Sequence, residues 1–190
     1  HEEDVSGTLN HSYTTVYELK EGATDCSEGW LIKSVCRRCG DVRSSEEGVG
    51  HSTKIKIGSF TVEEDGVCGT IFNLNSCVCG KYTYLGRTTK DVCSFAPPTT
   101  EKDENDPNHA IRTEKCTRCG LVRKTDIRYA YSDNCTKCIT TNVVTFEKDG
   151  KQCKLSDDKY SNVTYVQYNE YTSPQHWHIN IYELLKEGGT

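Results

Sequence analysis

The chain has 190 residues, 12 cysteines and no methionine, with a net charge of −5 at pH 7. That mild, evenly spread charge and the lack of any basic stripe exclude a nucleic-acid partner as an expectation. No apolar run approaches the roughly 20 residues that span a bilayer, so no membrane span is expected. Leu, Ile, Val and Phe total only 36 residues, a thin supply for a core, while eleven tyrosines favour half-buried strands.

From the first residue, His1-Glu2-Glu3-Asp4 reads as the end left when a secretory signal is removed. The compartment implied is extracellular and oxidising, where cysteines act as a cross-linked framework that compensates for a small core. Three sequons agree with secretion and with a glycan: Asn10-His11-Ser12, Asn134-Cys135-Thr136 and Asn162-Val163-Thr164. Tyr13 to Leu19 has strand character, and the stretch 1–22 is expected as an N-terminal strand or arm.

The next segment, 23–96, reads as a first cysteine-rich β module. Lys54-Ile55-Lys56-Ile57 alternates, and Gly58 then interrupts as a bulge would before Phe60 and Val62 resume. Asp65-Gly66 and Asp149-Gly150 carry the type I′ hairpin signal. Residues 97–108 hold Pro97, Pro98 and Pro107 among charged residues, the composition of a linker. The remainder, 109–190, reads as a second β module. Its strands include Thr164 to Tyr168 and, after a Ser173-Pro174 turn, His176 to Ile181; Ile181 to Lys186 is either a short helix or more strand.

The two modules echo each other. Cys36-Arg37-Arg38-Cys39-Gly40-Asp41-Val42-Arg43 matches Cys116-Thr117-Arg118-Cys119-Gly120-Leu121-Val122-Arg123 at six of eight positions, and Cys77-Val78-Cys79-Gly80 is a looser third copy. The fold class expected is mainly β: two tandem, related, small antiparallel β modules rich in disulfides.

Splitting at the linker leaves seven cysteines in the first module (Cys26, Cys36, Cys39, Cys68, Cys77, Cys79 and Cys93) and five in the second (Cys116, Cys119, Cys135, Cys138 and Cys153). Both counts are odd. Full oxidation in a monomer therefore requires a bridge between the modules, and otherwise thiols remain or pair between molecules. This reading places all twelve in disulfides and needs no cofactor.

Zinc is the competing reading. Cys116-x2-Cys119 and Cys135-x2-Cys138, fifteen residues apart, have four-cysteine spacing, and the stretch resembles a zinc ribbon with Gly120 in the knuckle position. That resemblance implies a metal role for Cys116, Cys119, Cys135 and Cys138 only. The first module keeps Cys36, Cys39 and Gly40 but has Ser52 and Lys54 or Ile55 where a second knuckle would fall.

His176 and His178 share a strand face with no further ligand nearby, and His51 follows a glycine-rich loop with no evident partner. No phosphate loop, nucleophile elbow or zincin motif occurs, so no enzyme is expected. Tyr82, Tyr84, Tyr129, Tyr131, Tyr165, Tyr168 and Tyr171 either fill thin cores or form contact faces. The expected function is non-enzymatic extracellular assembly, or binding, with other extracellular proteins or copies of itself as partners. The alternatives are a zinc-binding module and a carbohydrate-binding module.

Overall fold

The computed structural model describes residues 10–88, 92–160 and 162–174. The paired imidazoles of His176 and His178, the strand and helix expected after Ser173, and His1 lie outside them. The chain is mainly β, and among the described residues the only helix is one 3-10 turn, Asp158–Tyr160. Two compact units divide at Ser52 and Thr53.

In the first unit β1 (Tyr13–Leu19), β2 (Trp30–Cys36) and β3 (Val42–Gly48) form an antiparallel sheet in that order. The N-terminal strand is thus not a free arm; Tyr13 to Leu19 pairs with Cys36 to Trp30 along its whole length. Its core is very small. Among the described residues of this unit, Cys26, Trp30 and Cys36 are the only buried hydrophobic side chains, and nearly all of β3 is exposed. The Trp30 indole lies across Gly48, its cross-strand partner, and any side chain there would collide with the ring. Its Nε1–H donates to the Gly50 carbonyl at 3.0 Å.

The second unit begins with β4 (Ile55–Phe60), β5 (Val62–Glu63), β6 (Phe72–Ser76) and β7 (Thr83–Arg87). β4, β6 and β7 make a three-stranded antiparallel sheet. The bulge expected at Gly58 is present as a register shift between Lys56 and Gly58. The Asp65-Gly66 pair does not close a hairpin, because β5 pairs with β13 (Lys154–Leu155) instead of with a returning neighbour. Asp149-Gly150 does close one, with φ of 50° and 78°, joining β11 (Lys137–Lys148) to β12 (Lys151–Gln152).

Residues 97–108 are not a linker. β8 (Thr99–Asp103) and β9 (Asp106–Lys115) form a hairpin, and the sheet continues through β10 (Val122–Tyr131) to β11, whose far edge is paired by β14 (Val163–Glu170) and, near its end, by β12. Pro97 and Pro98 precede β8 and Pro107 is the second residue of β9, so the prolines sit near strand starts, where a lost N–H is tolerated. The prolines and charges that imitate a linker belong to an edge hairpin.

The core of this unit is aromatic. Phe60, Phe72 and Phe146 are at most 2% exposed, with Phe72 and Phe146 ring centres 4.7 Å apart, and Leu121, Val144 and Val163 close around them. Tyr160 packs on Phe60 at 5.2 Å and leaves no room for a side chain at Gly58. Cys93, Cys116 and Cys153 belong to the same cluster. Replacing Phe72 by Ala should lower stability by about 3–5 kcal/mol in urea unfolding. A loss below about 1 kcal/mol would contradict this account of the core.

His109 of β9 bridges two carboxylates, with Nδ1 at 2.9 Å from Asp103 and Nε2 at 3.2 Å from Asp126. The Asp103 hydrogen bond is the main reason its pKa lies above the ordinary value, against the opposing pull of burial and of nearby Arg128. Asp103 is correspondingly held low, chiefly by His109. A raised folded-state histidine pKa gives stability that is complete below the unfolded value of about 6.5 and is lost as pH rises through the folded value. The stability difference between wild type and His109→Gln should therefore be larger at pH 5.5 than at pH 8.5. A difference that grows with pH would refute the bridge.

Candidate metal centre

Three hairpins of this chain are closed by turns of one kind. Cys36–Gly40 joins β2 to β3, Cys77–Gly80 joins β6 to β7, and Cys116–Gly120 joins β9 to β10. In each, the first cysteine's N–H donates to a carbonyl five residues on: Cys36 to Asp41 at 2.8 Å, Cys77 to Tyr82 at 3.0 Å, Cys116 to Leu121 at 2.8 Å. The glycine N–H then turns back to the first cysteine's carbonyl, at 2.9 Å for Gly40, 3.0 Å for Gly80 and 2.9 Å for Gly120. Their φ angles of 75°, 76° and 74° lie in the left-handed region that glycine enters without strain. Such a turn leaves backbone N–H groups pointing at the cysteine sulfurs.

In the second unit that turn meets two further cysteines. The Sγ atoms of Cys68, Cys93, Cys116 and Cys119 all lie within 4.8 Å of one another. Cys68 comes from the loop between β5 and β6, and Cys93 from the segment after β7. That segment is held along the knuckle residue by residue. The Thr117 N–H donates to the Ser94 carbonyl at 2.8 Å, the Ala96 N–H to Lys115 at 2.9 Å, and Phe95 forms a β-bridge with Cys116. Arg118 also reaches the Val92 carbonyl at 3.3 Å. Cys93 is fixed from the other side, its N–H donating to the buried Thr70 hydroxyl at 2.6 Å.

Cys93 and Cys116 are 1% exposed, whereas Cys68 and Cys119 are half-buried at the border of the aromatic core. Burial opposes ionisation of Cys116. Even so, N–H groups of Cys119 and Arg118 and the neighbouring thiols of Cys119 and Cys93 draw its pKa down to about 6. Cys93 is pushed up to about 12, mainly by burial and further by the charge that develops on Cys119 and Cys116. Cys68 moves up for the same reasons, burial first. One thiolate forms readily, and each further one is resisted by those already present.

The residues fit a thiophilic cation. Tetrahedral zinc with Zn–S bonds near 2.3 Å spaces its sulfurs by about 3.8 Å, and Cys93 and Cys119 are 3.9 Å apart. A disulfide would need about 2.05 Å. All twelve cysteines are among the described residues, and none is joined to another in a disulfide, although several lie close together. Four converging sulfurs are the donor set of a four-cysteine structural site.

The zinc-ribbon partnership of Cys116 and Cys119 with Cys135 and Cys138 is not formed. Cys119 precedes β10 and Cys135 follows it, so ten extended residues, about 33 Å of strand, separate the two turns. Cys138 instead sits under Tyr131, and burial raises the pKa of both, Cys138 more moderately and Tyr131 far above its ordinary range. Cys153 is buried in the aromatic cluster, its pKa raised chiefly by desolvation. Cys77 and Cys79 of the shortened knuckle have their sulfurs 3.4 Å apart.

The first unit gathers its own ligands. His11, Cys36 and Cys39 lie within 4.8 Å, with His11 Nδ1 at 3.5 Å from the Cys39 sulfur. Pairing of Tyr13 with Cys36 carries His11 to the knuckle, and the Arg37 N–H donates to Ser12 at 2.8 Å. The His11 ring stacks on Tyr13, whose hydroxyl donates to Asp41 at 2.8 Å. N–H groups of Cys39 and Arg38 draw the Cys36 pKa to about 6. Cys26 and His51 also come within 4.8 Å of one another in this unit, with Asp25 at 3.8 Å from the His51 ring.

Of the ligand atoms brought together, spacing pointed to a metal role for Cys116 and Cys119 alone, and it left Cys36 and Cys39 among the framework cysteines. Cys68 and Cys93 were indistinguishable from framework cysteines, and His11 was hidden inside a sequon. The sequon asparagines Asn10, Asn134 and Asn162 are all exposed. Of the tyrosines, Tyr82 meets Tyr168 at 5.2 Å, Tyr84 meets Tyr165 at 6.2 Å and Tyr129 meets Tyr131 at 5.9 Å, all at the surface or half-buried.

Gly120→Ala should destabilise the chain by about 1–2 kcal/mol, the cost of a left-handed conformation for a residue with Cβ. That Cβ would also stand 3.2 Å from Lys148 Nζ, which donates to the Cys119 carbonyl. Thermal unfolding indistinguishable from wild type would contradict the knuckle geometry. No protein-family model, curated protein or solved structure matches this chain.

Proposed function

We propose that this chain is a zinc-stabilised, non-enzymatic β protein whose role is binding or scaffolding. The observation that carries the reading is the convergence of four sulfurs, from Cys68, Cys93, Cys116 and Cys119, within 4.8 Å. Zinc suits four thiolates in a closed tetrahedral set, where it has no vacant position for chemistry. Held there, it would offset the mutual repulsion of the thiolates and tie the β5–β6 loop and the segment after β7 to the β9–β10 hairpin. His11, Cys36 and Cys39 supply three ligands in the first unit, where a small core gives a second ion a comparable stabilising task.

Extracellular placement with disulfide-linked assembly is a second reading. It is favoured by the exposure of all three sequon asparagines and by the cysteines outside the four-sulfur set.

The test is zinc content by mass spectrometry of the reduced full-length chain and its variants. Cys116→Ser should lose one equivalent of zinc and unfold at a lower temperature, as should wild type treated with a chelator. Cys135→Ser and Cys138→Ser should retain the wild-type zinc content. Cys39→Ser should lose a different equivalent, additive with the loss in Cys116→Ser. Twelve oxidised cysteines and no zinc in the natively produced protein would overturn the metal reading in favour of the disulfide one. Equal zinc loss from Cys135→Ser and Cys116→Ser would restore the ribbon pairing.

A further inference from the structure

We infer that the second unit carries a binding cleft for an acidic saccharide, on the sheet face formed by β9, β10, β11 and β14 and walled by β7. The strand register collects the lining. Arg112 lies opposite Thr125, Glu114 opposite Arg123, Tyr129 opposite Thr140, and Thr140 opposite Gln167. Side chains two residues apart point to the same face, so these form one continuous grid. They enclose a cleft of about 490 Å³, within the range of small-molecule sites and larger than a simple inorganic anion needs.

The polarity of this grid is unusual for a covered sheet face. Glu114, Thr125, Thr140 and Asn142 are 3–7% exposed, where apolar residues are the rule. Their own hydrogen bonds account for part of their capacity. The Asn142 amide donates to Thr140 Oγ1 at 3.0 Å, while the buried Nε of Arg112 has no hydrogen-bond partner. Toward the metal centre the same face turns apolar, through Val144 and Phe146. The polar residues are therefore confined to the cleft.

Charge then selects the ligand. Arg112 and Arg123 share the single carboxylate of Glu114, at 3.2 Å and 2.8 Å, and Arg87 joins them at the rim. Three guanidinium groups against one carboxylate leave the cleft positive in a chain that is negative overall. Guanidinium forks match carboxylates in plane and spacing. Tyr84, 43% exposed, stands edge to face with Tyr165, offering aromatic surface to the C–H faces of a sugar ring. Thr140, Asn142, Gln167 and Asn169 provide the hydroxyl and amide groups that pair with sugar hydroxyls. Carboxylate, ring face and hydroxyls together describe a uronic acid.

The experiment is isothermal titration of the full-length, metal-loaded chain with oligogalacturonate, a neutral glucose oligomer of equal length, and sulfate. Oligogalacturonate should bind saturably and at least tenfold more tightly than either of the others. Arg112→Gln should weaken it at least tenfold, and Tyr84→Ala, at an exposed rim position, several-fold with unchanged circular dichroism. Absence of oligogalacturonate binding to wild type would overturn the proposal. So would equal binding of the neutral oligomer, sulfate binding as tight as the sugar acid, or binding that neither substitution affects. Zinc content measured on the same samples separates this outcome from failure of the metal reading.

Discussion

Thiolates repel one another, and a chain that brings four cysteine sulfurs within 4.8 Å must satisfy that repulsion somehow. The backbone does part of it. The knuckle turn aims N–H groups at the Cys116 sulfur and draws that thiol toward ionisation near neutral pH, while burial pushes the Cys93 thiol pKa up to about 12. One charge is accommodated and the next ones are opposed. Protons or a cation can complete the balance, and the 3.9 Å between the Cys93 and Cys119 sulfurs suits either. The cluster gathers the segment after β7, the β5–β6 loop and the β9–β10 hairpin at one place beside the aromatic core.

The two units illustrate how little apolar side chain can support a sheet. The second has Phe60, Phe72 and Phe146 in mutual contact, with Leu121, Val144 and Val163 around them. The first has three buried hydrophobic side chains among its described residues, two of them cysteines. Small domains of that kind depend on cross-links or metals for stability, and both units place their cysteine turns at hairpin ends. The same hairpin, with its glycine near φ +75°, recurs three times, which is the physical content of the repeat visible in the sequence. What recurs is a turn and two strands, and the surroundings of each copy differ.

A second constraint shapes the broad sheet of the second unit. One face runs from a dry aromatic end, at Phe146, to a polar end with Glu114, Thr125, Thr140 and Asn142. Polar groups in a covered position are costly unless they are matched. Sharing one carboxylate between two arginines matches them incompletely, so the cleft has hydrogen-bonding and charge capacity left for a ligand.

By itself the sequence determined the local elements: the β class, the Cys-x-x-Cys-Gly turns, the bulge at Gly58 and the Asp149-Gly150 hairpin. Each rests on interactions between near neighbours, through period-2 alternation and the φ preferences of glycine. Tertiary structure decided everything that depends on which strands meet. The proline-rich 97–108 stretch became an edge hairpin because β9 supplied its partner. Asp65-Gly66 closed no hairpin because β5 found β13 instead. Cys116 and Cys119 met Cys68 and Cys93 because ten residues of β10 carry Cys135 and Cys138 to the far end of the sheet. Through the pairing of Tyr13 with Cys36, His11 reached Cys39, 28 residues away, a contact that no spacing along the chain encodes.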